Sequence, residues 1–251
     1  MKTGSRPLWV DQPVKIKKRR AGPDPDFPYL SEHERFSFPL PENSEGDIIA
    51  IGGNLSPGML LSAYEQGIFP WYNEEDPILW QSPDPRFVIF PETLRVSESM
   101  KKVLKKKQFD VYFDKDFAGV IKNCASARRP GQDGTWITSD MIDAYITLHE
   151  LGFAHSAESY AHGELAGGCY GVWLGGVFFG ESMFAAVSNA SKAAFLTLAQ
   201  FLFERGAAFI DSQVHTNHVE SLGGREISRA DYLELLRATL AQSGAERGAW
   251  A

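Results

Sequence analysis

Apolar residues recur along the chain at two periods, and the change of period marks the elements. Met59, Leu60, Leu61, Ala63 and Tyr64 follow Ser56-Pro57 at helical spacing. The spacing predicts a helix with Ser56 at its N-cap, Pro57 at its first position and Gly67 at its end. Further helices are predicted over 97–107, 116–128 and 138–151, the last capped by Thr138 or Ser139. Period two takes over at 164–174 and 177–184, which flank Gly175-Gly176, a two-residue hairpin turn. With Leu174 opposite Val177, Val172 falls opposite Phe179 and Tyr170 opposite Glu181, and Met183 joins that face. A helix follows, capped by Asn189 to Ser191, striped by Ala194, Phe195, Leu198, Phe201 and Leu202, and stopped by Gly206. Phe209 to Val214 predicts a strand with Phe209, Asp211 and Gln213 on one face and Ile210, Ser212 and Val214 on the other. A last helix is expected near 229–241, after Ser228.

Helices, a hairpin, a helix, a strand and a helix, in that order, predict an α+β fold with helices packed on a mixed sheet. Ser82-Pro83-Asp84-Pro85-Arg86 cannot be helical and marks a junction. We therefore expect a proline-rich basic arm over 1–30, a small N-terminal α/β domain over 31–84 and a larger domain over 85–251. At 43% hydrophobic residues the chain has ample material for a core. Its formal charge of −7 argues against a surface built throughout for nucleic acid, so any RNA contact must be local. Two basic runs exist, Lys15, Lys17, Lys18, Arg19 and Arg20 in the arm, and Lys101, Lys102, Lys105, Lys106 and Lys107 further on. Lys101 and Lys105 share one helical face. Each run reads either as a solvated surface or as a phosphate contact. No secretory signal and no apolar run near the ~18 residues of a membrane span occur, so a cytoplasmic location is expected.

Few residues have the spacing of chemistry. Cys124 and Cys169 form no zinc or redox motif and read as buried thiols. The histidines lack metal-ligand spacing, and P-loop and dinucleotide fingerprints are missing. Asp211 and Gln213 share a strand face, which is either solvated or covered. If covered, the carboxylate needs partners. Glu181 poses the same question beside Met183. Two such carboxylates near an apolar pocket suit an amine substrate. Trp71 and Trp136, each in a loop bounded by glycine or proline, read as core packing or as a platform for a nucleobase.

Eight short strings occur in order: Ile51-Gly52-Gly53-Asn54-Leu55-Ser56, Gly67-Ile68-Phe69-Pro70-Trp71, Ser82-Pro83-Asp84-Pro85-Arg86, Gly134-Thr135-Trp136-Ile137-Thr138, Gly180-Glu181-Ser182-Met183-Phe184, Asn189-Ala190-Ser191-Lys192, Ile210-Asp211-Ser212-Gln213-Val214 and Ser221-Leu222-Gly223. Together they resemble the leucyl/phenylalanyl-tRNA protein transferase family over about residues 36–240. The resemblance implies an acetyltransferase-like (GNAT-type) C-terminal domain, and transfer of Leu, Phe or less often Met from aminoacyl-tRNA. The acceptors it implies are proteins with N-terminal Arg or Lys, which are thereby marked for N-degron degradation. It implies catalytic roles for Gln213, Asp211 and Glu181, a terminal-adenosine site at Trp71 and Trp136, and an apolar amino-acid pocket at Phe178, Met183 and Ile210. Lys101 and Lys105 are the expected tRNA contacts. The donor is an activated ester, so no cofactor, metal or nucleotide is expected, and we expect a monomer. Gln213 would accept a hydrogen bond from the attacking amine, with its amide oriented and polarised by Asp211. Glu181 would fix that network or the acceptor's cationic head. Asn54, Gln81 and Ser212 depart from the family's usual Asp, Trp and Cys. A CoA-dependent acetyltransferase and a non-catalytic tRNA or degron adaptor are the rival readings.

Overall fold

A computed structural model describes residues 21–127 and 135–242. The basic run at 15–20 and Gly134 of the Trp136 string lie outside these residues. The chain builds β1 (Ile48–Ile51), α1 (Pro57–Glu65), β2 (Phe69–Pro70), β3 (Leu79–Gln81), β4 (Arg86–Ile89), α2 (Glu98–Lys105), β5 (Asp110–Phe113), α3 (Phe117–Ser126) and α4 (Ser139–Glu150). It continues with β6 (Ala154–Ala161), β7 (Glu164–Leu174), β8 (Val177–Ala185), α5 (Ala190–Glu204), β9 (Phe209–Asp211), α6 (Asn217–Ser221), β10 (Arg225–Ile227) and α7 (Arg229–Gln242). Among the described residues these strands form a three-stranded sheet, β1-β3-β2, and a seven-stranded mixed sheet, β10-β4-β9-β8-β7-β6-β5. The β8–β9 pair is parallel, and its crossover is α5. No described helix is long and apolar enough to cross a membrane.

Residues 21–30, expected as part of a loose arm, are tied to the small sheet. Gly22 N–H donates to Asp76 O, Asp24 N–H to Gly53 O and Leu30 N–H to the Ser56 hydroxyl. Asn54 joins in, its amide donating to the carbonyls of Phe27 and Pro28. An aspartate there could not donate. Ser56 still precedes α1, but its hydroxyl serves residue 30 rather than capping the helix. Thr138 does cap α4, accepting from Met141 N–H.

Two apolar clusters cover the faces of the large sheet. One gathers Tyr64, Val88, Tyr145, Tyr170, Phe179, Phe209 and Tyr232 under α1, α3, α4 and α7. The other gathers Ile89, Phe178, Ile210, Leu198 and Leu202 under α5 and α2. Alanines let α5 lie close, and Gly167 opposes it, where an added Cβ would come within 2.7 Å of Ala190 Cβ. Such close packing makes deletions costly, and Leu198→Ala should lose about 2–5 kcal/mol.

The hairpin register differs from the expected one at the residue that matters most. Gly175 and Gly176 make the turn with φ of 49° and 88°. Leu174 pairs with Val177 and Val172 with Phe179. A bulge then intervenes, and Tyr170 faces Ser182 instead of Glu181. Gly171 accommodates it, because a Cβ there would lie 2.2 Å from Phe179 O and 2.6 Å from the Phe178 ring. The bulge reverses alternation beyond residue 181. Met183 therefore packs with Phe178 in the α5 cluster, while Glu181 stays on the Phe179 face.

Candidate functional site

Strands β8 and β9 run together only to the pair Phe179 and Asp211. Beyond it β9 ends, shorter than the strand expected to Val214, and β8 continues to Ala185. The backbone turns away because Gln213 adopts φ of 58°, a left-handed conformation disfavoured for a residue with a side chain. The result is a notch flanked by Glu181 on β8, by Asp211 at the end of β9 and by Gln213 in the turn beyond it.

Asp211 is fully buried and faces Arg86, equally buried at the start of β4. The guanidinium grips it with two bonds, Nε to Oδ1 at 2.9 Å and Nη2 to Oδ2 at 2.7 Å. Tyr232 of α7 donates its hydroxyl to Oδ2 at 2.8 Å. Burial opposes the charge of Arg86, but Asp211 beside it more than compensates and drives its pKa above the ordinary arginine value. The ring of Phe69 lies under the guanidinium at 4.9 Å, and that of Tyr232 at 4.4 Å. Gln213 is held through its backbone: its N–H donates to Asp211 Oδ1 at 2.9 Å, and its carbonyl accepts from Phe87 N–H at 3.1 Å. This corrects the expectation that Asp211 polarises the Gln213 amide. The carboxylate reaches the main chain, whereas the side-chain Nε2 donates to the Asp211 carbonyl at 3.3 Å.

Glu181 is half-buried and has no cation in hydrogen-bonding range among the described residues. Tyr64 of α1 donates to Oε1 at 2.6 Å and Tyr145 of α4 to Oε2 at 3.1 Å, which uses the one proton of each phenol, and the two hydroxyl oxygens lie side by side. Burial pushes the Glu181 pKa up to about 7, the two phenols pull it down, and Asp211 and Arg86 act with opposite signs. Burial and the neighbouring carboxylate raise both tyrosine pKa values well above 10, so both phenols remain donors near neutrality.

The two tryptophans differ. Trp71 is 37% exposed and stacks on Phe69, whose other neighbour is Arg86. It is thus one ring removed from the buried ion pair. Gln81 holds the Trp71 carbonyl with its amide. Trp136 is only 9% exposed and belongs to the core. The Tyr72 hydroxyl meets that of Thr138 at 3.2 Å and joins the two tryptophan loops. Phe178 and Ile210 are buried side by side on the α5 face, with Met183 partly buried against them. Lys101 and Lys105 are exposed on α2, on that same side of the sheet and away from the Asp211 face. Lys101 is paired with Glu98 at 2.7 Å.

The two cysteines are buried thiols, and burial raises the pKa of Cys169. His215 pairs with Glu220, and His155 with Asp114. No group of three or more potential metal ligands is gathered among the described residues. Arg86, Tyr232, Tyr64 and Tyr145 are the site residues to which sequence reasoning gave no role. The signal for Arg86 was present: an arginine opening the apolar run Phe87-Val88-Ile89-Phe90 has to find a counter-charge if that run is buried. The three tyrosines sat within helical apolar stripes and gave no such sign.

Two family models match the chain: "Leucyl/phenylalanyl-tRNA protein transferase" over residues 88–237 and "Leucyl/phenylalanyl-tRNA protein transferase N-terminal domain" over residues 53–84. A leucyl/phenylalanyl-tRNA protein transferase of Myxococcus xanthus is 48% identical over 222 residues, 88% of this chain and 94% of its own length. Another, from Syntrophobacter fumaroxidans, is 52% identical over 211 residues, 84% of this chain and 90% of its own. Among solved structures, L-PGS from Bacillus licheniformis aligns over 62% of this chain and half of its own length, with 12% identity and a TM-score of 0.37, too remote to bear on function.

Proposed function

Since the chain belongs to the leucyl/phenylalanyl-tRNA protein transferase family, it is an aminoacyltransferase acting on aminoacyl-tRNA and protein, and we propose that transfer takes place in the notch between Glu181 and Gln213. The observation that carries this assignment is the left-handed Gln213, pinned at both its N–H and its carbonyl beside a buried ion pair. A backbone held in a disfavoured conformation by several bonds marks a side chain that has to point one way. The fold of the larger sheet is taken as acetyltransferase-like, on the order β7, β8, α5, β9 with a parallel β8–β9 pair.

The donor is an ester and already activated. The acceptor is an α-amine whose reference pKa of roughly 7.7–8.0 leaves a usable neutral fraction. The amine attacks the ester carbon, the new amide forms, the amine proton departs and the terminal ribose hydroxyl of the tRNA leaves. Placing amine and ester together accounts for much of the acceleration, roughly 7–11 kcal/mol at best. Gln213 Nε2 is turned to the Asp211 carbonyl, so its Oε1 is the end offered to an incoming N–H. A neutral amide is a weak base. Its part is therefore to orient the amine lone pair. Glu181, poised near neutrality, is the group able to take a proton or to hold a cationic acceptor.

Trp71 presents the open ring for the terminal adenosine, with Trp136 as its more buried neighbour. Phe178, Met183 and Ile210 form the apolar receptor for a Leu, Phe or Met side chain. Lys101 and Lys105 contact tRNA phosphates. The acceptors are chains beginning with Arg or Lys, whose products enter N-degron degradation, and the enzyme works as a cytoplasmic monomer.

Radiolabelled Leu-tRNA with an Arg-initiated peptide tests the assignment. Label should pass to the peptide over many turnovers, and not to an Asp-initiated one. Gln213→Ala should lower kcat far more than tRNA affinity, and an equal loss of both would move Gln213 to a binding role.

A further inference from the structure

A carboxylate offers about four lone-pair sites, and Asp211 has all four occupied. Oδ1 accepts from Arg86 Nε and from the Gln213 N–H, and Oδ2 accepts from Arg86 Nη2 and from the Tyr232 hydroxyl. Neither Asp211 nor Arg86 has any exposed side-chain surface. Asp211 thus has no site left for a substrate proton. What it does control is the Gln213 amide, and through it the left-handed turn.

Its partners are fixed in turn. Arg86 Nη2 donates to the Tyr232 oxygen at 3.2 Å while Tyr232 donates to Asp211, closing a ring of three groups. Arg86 Nη1 donates to the carbonyl of Gly67, just past α1, the helix that carries Tyr64 to Glu181. Tyr232 comes from α7, whose first residue, Arg229, is anchored to the carbonyls of Ser44, Gly46 and Ser82. We infer that Arg86 and Tyr232 are positioning residues for aminoacyl transfer: they lock the Asp211 carboxylate, which through the Gln213 N–H holds the turn that presents the Gln213 amide to the notch. This rests on the placement of transfer at Gln213.

Tyr232→Phe removes the hydroxyl and leaves the ring, which packs edge-on against Phe209. Losing one hydrogen bond to a charged group should lower kcat roughly tenfold, with KM for Leu-tRNA and for an Arg-initiated peptide within about twofold of the parent. In a Gln213→Ala background the same substitution should leave the residual rate unchanged, because the group it positions is gone. Arg86→Lys, which keeps the charge but loses the fork, should fall further and show the same non-additivity. It carries the cycle should Tyr232→Phe fail to fold. Protein labelled with 15N-glutamine gives a second readout: the Gln213 backbone amide resonance should shift in Tyr232→Phe. An unchanged kcat in Tyr232→Phe, or equal fold losses in both backgrounds, overturns the inference. If Gln213→Ala alone is as active as the parent, the placement of the reacting centre fails instead.

Discussion

Asp211 and Glu181 project from neighbouring strands onto the same face of one sheet, yet their burial is resolved in opposite ways. Asp211 meets a bidentate arginine, and the two buried side chains hold each other as an ion pair. Glu181 meets two phenols, which supply hydrogen bonds without charge. Burial therefore lifts its pKa to about 7. The ion pair also shields its neighbour, because Arg86 and Asp211 act on Glu181 with opposite signs. A buried cation turns a carboxylate into scaffold, whereas neutral donors keep one titratable.

The largest effect should come from breaking the locked pair. Asp211→Ala strands a fully buried Arg86 and should cost about 3–5 kcal/mol in denaturant unfolding, together with the loss of transfer. Replacing both partners, as Arg86→Met with Asp211→Leu, should recover most of that stability and none of the activity. A single substitution costing under about 1 kcal/mol would mean that Arg86 reaches solvent, and the contrast would collapse.

Glu181→Gln should have a smaller effect that depends on pH. The folded protein binds the Glu181 proton more tightly than the unfolded chain, whose carboxyl titrates near 4.5. The stabilising contribution is therefore complete below pH 4.5 and is lost as pH rises through about 7. Relative to Glu181→Gln, the parent should weaken by on the order of 1–3 kcal/mol across that window. The parent's kcat should show an inflection near pH 7 that the variant lacks. Parallel stability curves for the two proteins would show that Glu181 does not titrate across this window.

Removing one phenol sharpens the contrast further. Each tyrosine bond holds the Glu181 pKa down, so Tyr64→Phe should move the kcat inflection to higher pH, and Tyr145→Phe should do so by less, since its bond is longer. A shift to lower pH would reverse the assigned sign. The smallest effect belongs to a fully solvated charge. Lys105→Ala should leave stability unchanged, and if it touches tRNA it should reduce the salt slope of binding by about one.

Local grammar was enough to place α1, α2, α3, α4, α5 and α7 and the β7–β8 hairpin, because caps, glycine stops and periodic apolar stripes are short-range signals. It also singled out Asp211, Gln213 and Glu181 as polar groups among apolar neighbours. Strand β6 escaped notice because His155, Ser156, Glu158 and Ser159 are all buried, and buried polar residues erase the alternation that announces a strand. There Glu158 is satisfied by the nearby Ser156 hydroxyl and by the N–H groups of Lys115 and Asp116, which lie 43 and 42 positions away along the chain. The hairpin register was legible at Leu174 and Val177 and lost at Gly171, where a bulge answers to the packing of Phe178 rather than to any turn residue. The order of residues along the chain thus marked which carboxylates would need partners once covered. Only the tertiary structure decided which partners they received, since Arg86, Tyr232, Tyr64 and Tyr145 are distant in sequence and electrostatics acts through space.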